Sequence, residues 1–293
     1  MSASHGSYYV PEYSPLPIIA AIGIFCIGYG SIHLLHAHLV GPIMFFGGSL
    51  IIAGVMFAWF RAVFLENKAG LLDAQMDRSY RWGMFWFIFT EVCFFGIFFG
   101  ALFYTRIVSV PNLAGEGNSS AFLTQMLLWP NFKATWPLLV NPDPQAFPGP
   151  AGTLHTWRIP ALNTLILLSS AVAVTWAHWG IKKNNQRQFI TGLIITIVLG
   201  FIFLSFQAYE YVLAHTVYQL TMSSGIYGST FFMLTGFHAA HVTIGAIMLC
   251  VILVRATKGH FNSEDHFGFE ASAWYWHFVD VVWLFLFIFV YWF

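Results

Sequence analysis

The sequence predicts an all-α, polytopic membrane protein with seven transmembrane helices, and three observations carry that prediction. Hydrophobic residues make up 58% of the chain and charged residues only 8%, where soluble domains carry about 25% charged residues; mean hydropathy is +0.70. The apolar residues collect into seven runs, each close to the roughly 20 residues that a helix needs to cross a bilayer. Nine of the twelve Lys and Arg residues then fall on alternate connections: Arg61, Lys68, Arg78 and Arg81; Lys182, Lys183 and Arg187; Arg255 and Lys258. Basic residues accumulate on cytoplasmic loops, so this bias places the N-terminus in the cytoplasm and the C-terminus outside, which an odd number of spans also requires. The formal net charge of zero offers no basic face to a phosphate backbone, and no nucleic-acid partner is expected.

In chain order, residues 1–15 form a polar cytoplasmic tail without Lys or Arg, which lacks the charged start of a signal peptide and is expected to stay attached. Residues 16–62 carry the first two spans, Leu16 to about Leu35 and Pro42 to Phe60, joined by a few residues around His36, Ala37, His38 and Gly41; so short a link makes an antiparallel hairpin. Residues 63–81 read as a cytoplasmic loop, the polar stretch around it holding Arg61, Glu66, Lys68, Asp73, Asp77 and Arg78. The third span runs from Arg81 to about Arg106 and opens a second region, 82–293, of five spans. Its first connection, 107–157, is a long extracytoplasmic loop rich in Pro, Gly and Asn. There Phe122 to Leu128, with Trp129 and Trp136, predicts a short interfacial element ended by Pro130 and Pro137. The last four spans are Ile159 to Trp179, Phe189 to about Leu213, Ser229 to Val254, and Glu270 to Phe293. No internal repeat and no inverted pair of broken helices is visible, which argues against a secondary transporter.

Few polar residues lie inside the spans: Glu91, Glu210, His238, His241, His277 and Asp280. Glu91 stands out, because it lies about 15 Å along its helix from Arg81, near mid-bilayer, where an ionisable group is costly and marks function or interhelical glue. No basic residue of its own span is near, so its proton is expected to be shared with a polar group on another span. Asp280 lies at a comparable depth and the two acids are expected to share a level. His277, three residues earlier, shares a helical face with Asp280 and is expected to pair with it. His238 and His241 have a spacing that suits a metal or a haem edge. Without a third ligand, and placed nearer the outer end than the acids, they read as hydrogen-bond glue. Glu210 reads as an acid near the outer interface, solvated there or bonded to a loop. Cys26, Cys93 and Cys250 lie in apolar runs without ligand spacing and read as small hydrophobes. No catalytic or metal-binding residue is expected.

Four stretches carry a resemblance: Arg81–Phe95 (RWGMFWFIFTEVCFF), Thr175–Trp179 (TWAHW), Tyr227–Val242 (YGSTFFMLTGFHAAHV) and His266–Phe285 (HFGFEASAWYWHFVDVVWLF). From about Trp59 to the C-terminus the chain closely resembles the subunit III family of haem-copper cytochrome c oxidases, while its first span matches only in hydropathy. The loop from about Asn112 to Pro150 departs from the shorter animal-type pattern and looks like a bacterial insertion. The resemblance implies a proton-pumping complex of a bacterial inner membrane that takes electrons from cytochrome c. Haems and copper would lie in partner subunits I and II, and this chain would have no cofactor of its own. It also implies a two-helix hairpin and a five-helix bundle separated by a cleft filled with phospholipid, whose headgroups meet Trp59, Arg61, Glu66, Arg255, Lys258 and His260. Glu91 matches the family's buried glutamate, associated with proton uptake into subunit I; Asp280 and His277 join it as candidates through their depth. The alternatives are a quinol-oxidase subunit III, a family whose members typically lack the first two spans, and a stand-alone proton channel resting only on Glu91 and Asp280.

Overall fold

The computed structural model describes residues 13–71, 74–117 and 119–292; most of the N-terminal tail and Asp73 lie outside the described residues. These are helical, without a strand among them, and seven segments are long and apolar enough to cross a membrane. The chain divides into two compact units, Met1–Tyr80 and Arg81–Phe293.

The first unit is the expected hairpin of α1 (Leu16–Leu35) and α2 (Val40–Lys68). Prolines set the start of α1, where a missing N–H costs nothing. Gly23 and Gly30 on α1, and Gly41 and Gly48 on α2, are the buried residues of these helices. Each pair is spaced by a heptad and so stays on one face. A Cβ at Gly30 would come within 2.8 Å of the Phe45 Cα, and one at Gly41 within 2.8 Å of the Leu34 Cα, so these positions allow backbone to meet backbone.

The predicted loop 63–81 is mostly helix. α2 continues to Lys68 and α3 (Ala74–Tyr104) begins soon after, so Arg61, Glu66 and Lys68 stand on the end of α2 and Asp77 and Arg78 in the first turns of α3. The cause is that hydropathy finds the lipid-facing part of a helix, whereas backbone hydrogen bonding continues through good helix formers such as Ala, Leu, Glu and Lys. The third span is also longer than expected. A π-helical turn, Thr105–Ser109, leads into α4 (Val110–Leu113), with the Val110 N–H reaching back to the Thr105 carbonyl. That turn shifts the ladder by one residue just before Pro111, which has no N–H to give.

The long connection holds α5 (Ser119–Leu128), which covers the predicted Phe122 to Leu128 and leaves Trp129 and Trp136 beyond its end. Trp136 packs edge-on against Tyr227 with Arg106 over its ring, and Asn141 donates to the carbonyls of Phe147 and Ser224. Trp136 is therefore used in packing. Four helices follow: α6 (Ile159–Lys182), α7 (Gln186–Thr216), α8 (Ile226–Thr257) and α9 (Phe267–Leu286), the last prolonged by a π turn, Phe287–Trp292. The Asn185 side chain caps α7 by accepting from the Gln188 N–H at 3.1 Å. The apolar window of α9 is 61% buried within the chain, against 33% to 39% for those of α6, α7 and α8, so α9 is the central helix of the bundle. Its rotation is held by two buried indoles: Trp276 donates to the Ser170 hydroxyl at 2.9 Å and Trp283 to Thr164 at 3.0 Å.

Candidate functional site

Glu91 does meet a polar group of another span. The Glu91 Oε2 lies 2.9 Å from the His241 Nε2, joining α3 to α8, with the two side chains 21% and 13% exposed. The other ring nitrogen of His241, Nδ1, lies 2.6 Å from the Phe237 carbonyl one turn earlier. A carbonyl only accepts, so Nδ1 carries a hydrogen and donates it. The contact between Nε2 and the carboxyl then requires one proton shared by two atoms: either the acid donates to a neutral imidazole, or an imidazolium donates to a carboxylate. Both arrangements are neutral overall. Around the pair stand Phe95, whose ring centre is 5.0 Å from that of His241, Phe94 at 6.0 Å, Tyr275 at 6.3 Å and Phe278 at 6.5 Å. This surround is aromatic and carries few dipoles.

This placement corrects the expectation that His241 sits nearer the outer end than the acids. It lies at the middle of α8, and Glu91 lies near the middle of the continuous helix Ala74–Leu113, so the two meet at one level. Among the described residues no hydrogen bond joins Asp280 to Glu91. Asp280 is 4% exposed and its nearest ion-pair partner is the His277 Nδ1 at 3.7 Å, beyond hydrogen-bond length. The pairing of His277 with Asp280 is thus one of proximity, and the His277 Nε2 lies 3.4 Å from the Thr175 hydroxyl on α6.

His238 serves a different partner from His241. Its Nε2 donates to the Val279 carbonyl on α9 at 3.1 Å and its ring packs on Trp283 and Phe203, which is interhelical glue as expected. The two imidazoles do not converge on one point. Glu210 departs from expectation: it is fully buried, 0% exposed, because α7 runs on to Thr216 and carries Glu210 well inside the bundle. Beside it on α7, Gln207 donates to the Tyr291 hydroxyl at 3.4 Å.

The residues matched to lipid contacts lie on helix ends. In the first unit, Trp59 and Arg61 are exposed near the end of α2 and Glu66 is half-buried beyond them. In the second, Arg255 lies in the last turn of α8 with its guanidinium 4.5 Å from the centre of the Phe261 ring, and Lys258 and His260 follow, both exposed.

One cluster went unnoticed in the sequence. Glu270, in the first turn of α9, accepts from Arg81 at 2.5 Å through Oε2, while its Oε1 lies 3.3 Å from the His178 Nε2 of α6 and 3.3 Å from the Nε2 of His266, the N-cap residue of α9. The only local signal was the spacing of His266 and Glu270 by one turn. His178 and Arg81 come from remote parts of the chain.

The family model described as "Cytochrome c oxidase subunit III" matches residues 5–119 and 118–293, so the similarity includes the first span, beyond the stretch from Trp59 onward. Relatives named "Cytochrome c oxidase subunit 3" include those of Drosophila melanogaster, 39% identical over 99% of this chain and 97% of the relative, and Pongo abelii, 39% identical over 100% and 99%. The red alga Chondrus crispus has one 36% identical over 99% and 95%. With similarity at this level across nearly the whole of both chains, and a helical fold with its acid–imidazole pair inside the matched motifs, the chain belongs to the cytochrome c oxidase subunit III family.

Proposed function

We propose that this chain, a subunit III of cytochrome c oxidase, is the accessory member of its complex and supports proton uptake by subunit I through Glu91 and His241. The observation that carries this reading is the single proton the pair must hold at mid-helix, bounded by the Phe237 carbonyl on one side and an aromatic surround on the other. A proton shared between two side chains passes from one to the other in one short transfer, which suits a pair placed beside an uptake path. Asp280 and His277 belong to the same functional region as further candidates.

The electron-transfer groups, haems and copper, are assigned to partner subunits I and II, with cytochrome c as donor to the complex. The basic helix ends bearing Arg61 with Trp59 and Glu66, and Arg255 with Lys258 and His260, suit the phosphate of structural phospholipids, since Arg and Lys draw anionic headgroups. The bias of basic residues supports an N-terminus in the cytoplasm and a C-terminus outside, and the bacterial inner membrane location rests on the family resemblance.

The test uses the intact complex. A hydrophobic carbodiimide, which reacts with a protonated carboxyl, is expected to label Glu91 ahead of the surface acids Glu66 and Asp77, as read by peptide mass spectrometry. The Glu91→Gln variant keeps shape and a hydrogen bond but cannot exchange a proton. It should assemble normally, then lose proton stoichiometry or inactivate early during turnover. Normal oxygen consumption, proton stoichiometry and longevity in that variant would reduce the pair to packing glue.

A further inference from the structure

We infer that His178, His266 and Glu270 form a binding site for a divalent cation of the zinc class at one end of the bundle. One nitrogen or oxygen from each lies within 4.8 Å of the others. The two closest edges, His178 Nε2 to Glu270 Oε1 and His266 Nε2 to Glu270 Oε1, are both 3.3 Å. Metal–ligand bonds of about 2.0–2.2 Å in a tetrahedral centre place neighbouring ligand atoms roughly 3.3–3.5 Å apart, so these two separations are those of a tetrahedron edge, and the third lies within 4.8 Å.

The hydrogen-bonding pattern asks for a cation there. The His266 Nδ1 faces the Asn262 carbonyl at 3.1 Å and donates to it, which leaves the Nε2 lone pair aimed at a carboxylate oxygen. Two electron-rich atoms at 3.3 Å are stable together only with positive charge between them. Both Nε2 atoms are buried and face the same Glu270 Oε1 at 3.3 Å without good hydrogen-bond geometry, so the three atoms surround a common point. Two imidazoles and one carboxylate are borderline donors that suit zinc and its neighbours. The supporting contacts are those of a metal site as well: Asn262 orients His266, and Arg81 holds the second carboxylate oxygen, Oε2, at 2.5 Å, leaving Oε1 to bind alone.

The charged groups nearby set the character of the site. Arg81, and Lys182 one turn after His178 on α6, are cationic and oppose a second positive ion, so occupancy is reversible and regulatory in kind. An ion bound here would tie α6 to the start of α9 and, through Arg81, to α3.

Chelator-washed intact complex titrated with radioactive zinc should bind one equivalent more in the wild type than in His178→Ala or in His266→Ala. Equal stoichiometry in all three would overturn the site. Should either variant fail to assemble, the wild type alone decides: zinc is expected to protect His178 and His266 together from diethylpyrocarbonate, read by peptide mass spectrometry, and modification of both at an unchanged rate would refute the assignment.

Discussion

In the α1–α2 hairpin the helices touch through glycine against backbone, whereas in the bundle of α6 to α9 they are joined by indole, imidazole and hydroxyl groups. The apolar windows of the hairpin are 11% and 6% buried within the chain, while that of α9 is 61% buried. Lipid tails are as apolar as leucine, so helices in a membrane gain little by hiding hydrophobic side chains from lipid. Two sources of cohesion remain, close packing and polar bonds; the hairpin shows the first, whereas the bundle combines both, since Gly192 also brings α7 against the Ala177 backbone of α6. The hairpin turns its side chains outward and brings its backbones together at Gly30 and Gly41. The bundle fills its middle with Trp276, Trp283 and Tyr275 and satisfies the two indole N–H groups across helices.

That contrast can be broken most forcefully at Gly30. A leucine there would drive its Cβ to within 2.8 Å of the Phe45 Cα, and backbone has no rotamer to move, so Gly30→Leu should destabilise the hairpin by about 3 kcal/mol. A denaturant titration followed by proteolysis at the α1–α2 turn reads this directly; an unchanged midpoint would mean that the helices are held by something other than close approach. A smaller effect is expected from Ser170→Ala, which strands the buried Trp276 N–H. Polar bonds between membrane helices contribute about 1 kcal/mol, and that loss should appear in thermal unfolding of the complex together with a change in tryptophan near-ultraviolet dichroism. Smallest of all should be Ser31→Ala combined with Ser49→Ala. Both hydroxyls bond their own helix, to the carbonyls of Ile27 and Phe45 at 2.7 Å, and contribute nothing between helices. A shift within about 0.5 kcal/mol is expected; a larger one would show that the hairpin also depends on polar bonds.

The seven spans were legible because composition alone separates lipid-facing helix from loop, but their ends were not. α2 carries Arg61 to Lys68 past the apolar window, and α3 begins at Ala74, ahead of Arg81. Glu91 was legible as a lone acid in an apolar run, and so was its need for a partner. The identity of that partner, His241, depends on the register between α3 and α8, which no spacing within either helix reveals. Glu210 was misread for a related reason: α7 runs about three residues past its expected end and packs Glu210 fully inside the bundle. The three-ligand cluster of His178, His266 and Glu270 is assembled from α6 and the start of α9, so only the pair one turn apart left any trace in the sequence.

The neutrality of the Glu91–His241 pair has an electrical consequence. Carrying one full charge across a membrane held at 100 mV involves about 2.3 kcal/mol. A proton passing between the two partners moves about 1 Å in a hydrocarbon layer about 30 Å thick, so even if it moved along the membrane normal it would feel less than about 0.1 kcal/mol of that field. A respiring cell can raise or collapse its membrane voltage without altering where this proton rests, which makes the pair a voltage-blind store in a membrane whose purpose is to sustain a voltage.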